Sequence, residues 1–523
     1  MSNWEKFKAK GKPSNASRNN KFPKKTHTHK RNGKRSRESR QQQQQQQQQL
    51  LSYNQATLPP PRKKKKKKKK NKLQRSNQHS SVPPQRVLTR TLTKPPPPFR
   101  VAVSDSMKYL VPSDPQFRQL NSQCYRGLVF DPPAAVPDEL HDNVADALET
   151  MRRAELFHRD VVATGRSVSA TFVKRTLIGN PGMTYFYQRL RIFAHSWDDT
   201  HCSPSSPLRV VRQLNDYMKV LTKRHAAKDR TQVKGSSDFN ITLINYMQSQ
   251  EIANESSVPL REEDKFGLGE ASVSWHADSS LQDFSSIAVY HQTGSSDGTS
   301  WSVASRVIGD DVTPAIKVAL KDRQTYYMLN DFNHHHHHSV LAGNTWRYSS
   351  THRVAVTSKD TFDFAWKTCQ EGNEAYSNIL ESIQKTSKNG IDPVAMRKGA
   401  EAHLVIEFDW LRMYVIQGKK HADSHSAYWQ PAMDQLWEAW AEYEKALPII
   451  TDYLIHSGNA ANPRSKRMFV WLLDELVEKR REMKKRCRSP AYFALPEDER
   501  PMPLPPAGAP FNVGEAATVL KGK

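Results

Sequence analysis

A chain of 523 residues is too long for one ordinary core, so two or more domains are expected. Its formal net charge of +26 invites a nucleic-acid reading, but residues 1–100 hold 29 Lys and Arg against Glu5 and Glu38, while the other 423 residues hold 50 basic and 51 acidic side chains. The excess charge is thus confined to the N-terminal fifth, and the overall charge says nothing about what a cleft in the body binds.

That segment carries Gln41–Gln49, Lys63–Lys70 and Pro95–Pro98 with almost no apolar periodicity. It cannot bury enough surface to offset its ordering entropy, so residues 1–100 are expected to form a disordered basic tail. Arg62 followed by eight lysines reads as a nuclear-localisation patch, and the same side chains suit contact with import machinery or nonspecific contact with nucleic-acid phosphate. No run of eighteen uncharged apolar residues occurs and the start lacks the apolar core of a signal peptide, so no membrane span and no secretion are expected. Cys124, Cys202, Cys369 and Cys487 are widely separated with no C-x-x-C pair, which argues against a disulfide framework or thiolate zinc site and for a reducing compartment.

From Val136 the pattern is helical, with Leu140, Val144, Ala147, Leu148 and Met151 on one stripe after a Pro137-Asp138-Glu139 first turn. Ile178-Gly179-Asn180-Pro181-Gly182 is a turn cluster leading into a strand or hairpin with Tyr185, Tyr187 and Ile192-Phe193, and a second helix is predicted from about Leu208 to Lys223. Between Phe239 and Thr357 short β runs recur: Ile241 to Tyr246, Ser272 to Trp275, Ser286 to Tyr290, Trp301 to Val307, Ala315 to Leu320, Thr325 to Leu329 and Arg353 to Thr357. Strands of that length and spacing suggest a sandwich or barrel. Beyond Thr357 three apolar stripes follow, within 392–418, on Leu436, Trp440, Tyr443 and Leu447, and on Phe469, Leu472, Leu473, Leu476 and Val477, which predict a helical-bundle domain. Residues after Ser489, rich in Pro and small residues, are expected to be a loose tail.

His-x-Asp occurs three times, at His158, His276 and His421, where about one occurrence is expected by chance with twenty histidines. His158 falls at the end of a helical pattern, where residues two apart point away from one another, and His421 lies in a polar stretch between helices. His276 differs: it continues a strand on which Ser272 and Ser274 share its face, and Asp278 keeps that parity if the extension persists. Two donors there and one from a distant strand give three facial ligands with open positions, the arrangement of non-haem iron(II) oxygenases. His334 to His338 offers five choices for the third, and proximity to the following arginine segment favours His338. Arg347 and Ser349 share a strand face, and a bidentate guanidinium with a hydroxyl suits the distal carboxylate of 2-oxoglutarate; Arg353 keeps the same parity.

These residues carry a resemblance. From about Glu139 to Arg488 the chain resembles the fat mass and obesity-associated (FTO-type) branch of the AlkB-like oxygenases, on the blocks Leu177-Ile178-Gly179-Asn180-Pro181-Gly182, Val273-Ser274-Trp275-His276, Val340-Leu341-Ala342-Gly343 and Ser349-Ser350-Thr351-His352-Arg353-Val354-Ala355. The resemblance implies an α+β chain: a double-stranded β-helix (jelly-roll) catalytic domain with flanking helices over 101–357, then an all-helical domain over 358–490, with 491–523 left as the loose tail. It implies Fe(II) and 2-oxoglutarate as cofactors, O2 as co-substrate, and oxidative removal of N-methyl groups from nucleobases, chiefly N6-methyladenosine in RNA with single-stranded DNA as an alternative, releasing formaldehyde and succinate. Carried over by position, His276, Asp278 and His338 hold the metal, Arg347, Ser349, Asn245, Tyr326 and Arg353 hold 2-oxoglutarate, and Arg175, Tyr185, Tyr187, Ser274 and Ser279 line the substrate pocket. Three positions depart from the family: Ser279 stands where it has an acidic residue, Ala277 where it usually has His, and Gln188 where an apolar residue commonly sandwiches the base. A protein hydroxylase or histone demethylase would use the same ligands with a different rim, and an inert nucleic-acid-binding protein would rely on the basic tail alone.

Overall fold

In this computed structural model the described residues are 95–99 and 109–522, apart from 165–166, 188, 199–205, 230–232, 249–260, 263–267, 269, 295–300, 386–389, 458–461 and 509–510. The poly-Gln and poly-Lys segments and Gln188 therefore lie outside the described residues. Residues 95–99 belong to the folded body rather than to a tail: the Phe99 amide donates to Thr313 Oγ1 at 2.9 Å and its ring packs on the catalytic core.

The strands, in chain order, are β1 (Tyr109–Leu110), β2 (Leu128–Asp131), β3 (His158–Thr164), β4 (Ser167–Gly179), β5 (Thr184–Tyr187), β6 (Leu190–Phe193), β7 (His195–Ser196) and β8 (Ile241–Met247). They continue with β9 (Arg261–Glu262), β10 (Glu270–His276), β11 (Ile287–Thr293), β12 (Ser302–Val307), β13 (Ala315–Ala319), β14 (Thr325–Met328), β15 (His336–Leu341) and β16 (Arg347–Arg353). One sheet has the order β1-β13-β12-β15-β10-β9 and the other β2-β14-β11-β16-β8-β4-β3. Taken alone, β8 and β10 to β16 divide into β14-β11-β16-β8 and β13-β12-β15-β10, with non-consecutive strands as neighbours in each sheet. That interleaving is the double-stranded β-helix expected from the sequence.

Two helices, α1 (Phe117–Cys124) and α2 (Asp138–Arg153), precede β3, and α3 (Pro207–Lys228) follows β7. The predicted stripe of α2 is the buried one, with Val144, Ala147, Leu148 and Met151 packed with Val211, Leu214 and Met218 of α3 against Ile244, Ala288 and Tyr348 of the larger sheet. A four-residue α4 (Phe332–His335) leads straight into β15.

The second domain comprises α5 (Phe362–Gln384), α6 (Pro393–Leu404), a π turn (Val405–Leu411), α7 (Arg412–Val415), α8 (Gly418–Ser424), α9 (Ser426–His456), α10 (Pro463–Cys487), α11 (Pro490–Phe493) and α12 (Val513–Gly522). Its core runs without a break onto the catalytic domain, because Val161, Leu190 and Phe193 pack in the same cluster as Trp410, Tyr414 and Trp429. The turn at Gly182, with φ +74°, lies against this domain: an added Cβ would stand 2.8 Å from the Tyr428 hydroxyl. The positive φ favours glycine there, and any larger residue would also displace the Tyr428 hydroxyl.

Four expectations are corrected. The stretch 491–523 is not loose, since Val513, Ala516, Ala517 and Leu520 of α12 are buried in the helical core. His158 opens a strand rather than closing a helix, as α2 stops at Arg153. His421 is buried within α8. The last strand ends at Arg353 instead of starting there, because the 347–353 run is the one paired on both sides, by β8 and β11.

Candidate active site

His276 ends β10 and is the direct cross-strand partner of His338 near the start of β15, with ring centroids 4.1 Å apart. Asp278 lies beyond the strand end, so sheet parity does not deliver it. Its amide donates instead to Asn333 Oδ1, and Asn333 Nδ2 donates to its carbonyl, each at 2.9 Å. Asn333 is a residue that sequence reasoning missed, and only its place just before the histidine run hinted at it. The carboxylate so placed brings one ligand atom each from His276, Asp278 and His338 within 4.8 Å of one another.

The donor chemistry of this trio fits a divalent metal. His276 Nδ1 meets the Ser274 carbonyl at 2.8 Å, which makes Nδ1 the protonated nitrogen and leaves Nε2 as a lone-pair donor. Burial and then the neighbouring His276 push His338 down to about 3, so it is a neutral imidazole, and its Nδ1 is buried without a hydrogen-bond partner. Burial pushes Asp278 up, but Arg353, His338 and His276 together outweigh it and hold the carboxyl below its usual range. Two imidazole nitrogens and one carboxylate are the donor types that a facial iron(II) site requires.

The histidine run is divided by its backbone. His334 and His335 lie on α4, while His336 turns into the core, stacks on Phe332 at 4.0 Å and reaches the Phe332 and Cys124 carbonyls at 2.9 and 2.8 Å. His337 faces Arg306, 3.4 Å away. His338 alone of the five meets His276.

Behind the trio, Arg347 opens β16 with no solvent exposure. Its Nε donates to His291 Nδ1 at 2.7 Å, its Nη1 faces the Met247 sulfur at 3.4 Å, and Nη2 has no partner. Among the described residues no carboxylate pairs with it, and burial lowers its pKa, an effect that the adjoining Tyr326 phenol opposes. A buried guanidinium without a counter-ion fits the carboxylate of 2-oxoglutarate. Ser349 shares its face and lies between His291 and Asn245 in register, so Arg347, Ser349, His291, Asn245 and Tyr326 form one wall. His291 is the member that no sequence signal marked.

Arg353 is arranged differently from the sequence expectation. Its Nε and Nη2 donate to Oδ2 and Oδ1 of Asp278, each at 2.9 Å, and only the buried Nη1 is left for 2-oxoglutarate. Its guanidinium also lies over the Tyr185 ring, 5.2 Å from the centroid.

Tyr185 and Tyr187 stand on β5 of the predicted hairpin, whose partner strand is β6. Tyr185 is buried with Ser279 at its phenol, and Tyr187 is half-buried with Asp160, Arg175, Asp278 and Arg353 as its charged neighbours. Arg175 itself is committed: its Nε and Nη2 both donate to the buried Asp160. The Ser274 carbonyl, as noted, orients His276.

Residues 115–356 match the family described as the FTO catalytic domain, and residues 360–512 match the FTO C-terminal domain. The chain belongs to the FTO family. Its similarity to the Alpha-ketoglutarate-dependent dioxygenase FTO of Xenopus laevis is 29% identity over 447 residues, covering 76% of this chain and 87% of that one. Membership of the FTO family makes the protein a 2-oxoglutarate-dependent dioxygenase that uses Fe(II), 2-oxoglutarate and O2. Two solved structures are also similar in part. A 2OG-Fe(II) oxygenase family oxidoreductase from Burkholderia pseudomallei has 11% identity and TM-score 0.27, over 48% of this chain and 95% of that one. A prolyl hydroxylase from Trichoplax adhaerens has 12% identity and TM-score 0.28, over 46% and 86%. At those scores the strand order above is the better warrant for the fold. No helix among the described residues of this FTO-family chain is long and apolar enough to cross a membrane.

Proposed function

We propose that this dioxygenase demethylates N-methylated nucleobases, with N6-methyladenosine in RNA as the preferred substrate and single-stranded DNA as a secondary one. The observation that carries the reading is the neighbourhood of Tyr187, a phenol among two carboxylates and two guanidiniums beside the metal trio. A phenol ring stacks on a flat base and a buried guanidinium donates to its polar edge, which suits a base taken out of its stack.

Iron(II) with 2-oxoglutarate and O2 supplies the oxidation of the N-methyl carbon, which leaves as formaldehyde while 2-oxoglutarate becomes succinate. The chain's residues supply geometry. Arg347 and Ser349 hold the distal carboxylate, His276 is fixed in one tautomer by Ser274, and Asp278 is kept ionised and aimed by Arg353 and Asn333. Burial of this wall excludes water, which strengthens each of these contacts.

Nuclear residence belongs to the same proposal and rests on Arg62 and Lys63–Lys70. Import machinery and RNA phosphate are the partners that such a run suits. The substrate reading is tested with the full chain and a chain lacking residues 1–94, each given iron(II), 2-oxoglutarate and a panel of methylated RNA, methylated DNA and methylated histone peptides, and nuclear residence by imaging the same two chains in cells. Formaldehyde from N6-methyladenosine RNA is the expected result, and release from peptides alone overturns the reading.

A further inference from the structure

Asp160 is buried deeply enough to need a partner, and the backbone has been arranged to give it one. His158 and Arg175 are cross-strand partners on β3 and β4, so Asp160, two residues on from His158, falls on the same face and diagonal to Arg175. Register is then lost between Arg159 and Val161, where Asp160 alone opposes Thr171–Val173, and the Asp160 amide is taken up by Thr171 Oγ1 at 3.0 Å instead of by the ladder. Irregularities of this type re-aim side chains next to active sites. The outcome is a bidentate pair, Nε and Nη2 of Arg175 on the two carboxylate oxygens, with 5% and 7% exposure for the two residues.

The helical domain pins both ends of this arrangement. Arg486 of α10 donates Nη2 to the Val161 carbonyl and Nη1 to the Arg189 carbonyl, each at 3.2 Å, so it holds the backbone after Asp160 and the turn after Tyr187 together. The Tyr187 phenol has two carboxylates among its neighbours, Asp160 and Asp278. Asp278 belongs to the metal trio, and Ser279 has no carboxylate to offer. Asp160 is the acid that remains.

We propose that Asp160 is the positioning residue of the base pocket: by clamping Arg175 through two nitrogens it fixes the direction of the guanidinium group that reads the edge of the methylated base. This rests on the nucleobase reading above. A guanidinium held at two points loses its rotational freedom before substrate arrives, so binding need not supply that ordering.

The experiment is a double-mutant cycle on the full chain, with an N6-methyladenosine single-stranded oligoribonucleotide as probe and formaldehyde as readout. Asp160→Asn and Arg175→Met are each expected to raise KM for the oligonucleotide about tenfold or more with kcat within about twofold, the size expected for a lost charge-assisted contact. The double variant should be no worse than the worse single, since both changes break one unit. Asp160→Glu should recover part of the loss, and KM for 2-oxoglutarate should not move in any of them. Additive losses, or equal falls in kcat and stability without a change in KM, overturn the role. Should Asp160→Asn not fold, Asp160→Glu gives the same readout, because a displaced carboxylate must raise KM if it aims Arg175 and leave it unchanged if it does not. A wild-type chain that neither binds nor demethylates the oligonucleotide overturns the base reading and this role together, whereas an active wild type with an additive cycle overturns this role alone.

Discussion

Arg347 and His291 meet nitrogen to nitrogen, Nε donating to Nδ1 at 2.7 Å, and neither side chain has any solvent exposure. The imidazole must therefore be neutral with its lone pair on Nδ1, and burial followed by the adjacent Arg347 charge holds its pKa well below the usual histidine range. The bond stops the guanidinium from turning and leaves Nη2 as the free donor. His291→Leu is expected to raise KM for 2-oxoglutarate about tenfold, the loss of one hydrogen bond to a charged group, with a smaller change in kcat. Arg347→Ala should abolish succinate production while the circular dichroism spectrum is retained. Retained succinate production in Arg347→Ala removes this wall from the 2-oxoglutarate site.

The run His334 to His338 offers an internal control, because adjacent residues of one type have unrelated surroundings. His338→Ala is expected to abolish iron binding and turnover, as is His276→Ala, with the thermal midpoint little changed. His336→Ala should leave iron binding intact but destabilise the fold by roughly 2–4 kcal/mol, through a lost stacked ring and the lost imidazole hydrogen bonding to the Phe332 and Cys124 carbonyls. His337→Ala should be nearly silent. Iron titration and thermal denaturation of the four variants check this, and loss of iron in His336→Ala with retention in His338→Ala reverses the assignment.

The site was legible in sequence where spacing along one strand decides geometry, and illegible where two distant segments meet. Strand parity places Ser274 with His276 and Arg347 with Ser349, and β10 and β16 keep both relations. Asp278 was reached through a parity that stops at His276, and the contact that holds it comes from Asn333, a residue with no periodic mark. His291 and Asp160 were missed for the same reason, since each acquires its role only through a cross-strand arginine. Strands β3 and β4 carry no clear sequence signal because their polar residues, Arg159, Ser167, Ser169 and Lys174 among them, blur the alternation. The helical stripes were easier, as a buried face repeats whatever it packs against. Helix α5 has no clear sequence signature although Ala365, Cys369, Gly372, Ala375, Tyr376 and Ile379 form its buried stripe, because small residues give a weak apolar signal.

The seam between the domains holds four histidines. His195 of β7 and His421 of α8 stack on His425, the residue between α8 and α9, at centroid distances of 3.8 and 4.1 Å, and His158 of β3 stands edge-on to His421. Burial comes first among the causes that lower all four, to about 4 for His425, about 3 for His158 and well below 6.5 for His195 and His421. Arg175, Lys174 and Lys420 add positive charge nearby, and the acids within reach are tied to them, Asp160 to Arg175 and Glu155 and Glu499 to Lys420. Each ring is neutral in the folded protein, whereas in the unfolded chain it gains a proton near pH 6.5. Stability contributed by the neutral cluster is thus complete above about pH 6.5 and falls as pH drops toward the folded values, by about 1.4 kcal/mol per pH unit for each histidine. Urea midpoints at pH 7.5, 6 and 5 should show the decline, and the His195→Leu, His421→Phe double variant should flatten it. An unchanged slope in that variant assigns the acid sensitivity elsewhere.

A buried network in the helical domain gives a prediction of the opposite pH sign. Glu407, in the π turn, has no exposure and accepts from Arg412, from both Nε and Nη2 of Arg480 and from Trp440 Nε1, at 2.6 to 3.1 Å, while His403 lies 3.6 Å away. Burial pushes its carboxyl up, but His403, Arg480 and Arg412 outweigh that and hold it far below its ordinary value. The contribution is present above the unfolded value of about 4.3 and is lost as pH falls through the folded value, so the network weakens only in strong acid. With both Glu407 oxygens and Glu444 Oε1 already engaged by a cation, an imidazole or an indole, the cluster of His403, Glu407 and Glu444 reads as a structural ion-pair network rather than a second metal centre. Glu407→Gln should therefore destabilise the protein by about 3–5 kcal/mol, since it sets Arg412 beside a neutral amide and leaves Arg480 with Glu444 alone. Added divalent metal should not raise the thermal midpoint of a His276→Ala variant, in which the catalytic trio is broken but this cluster is intact. A metal-dependent rise in that variant would identify the cluster as an ion site after all.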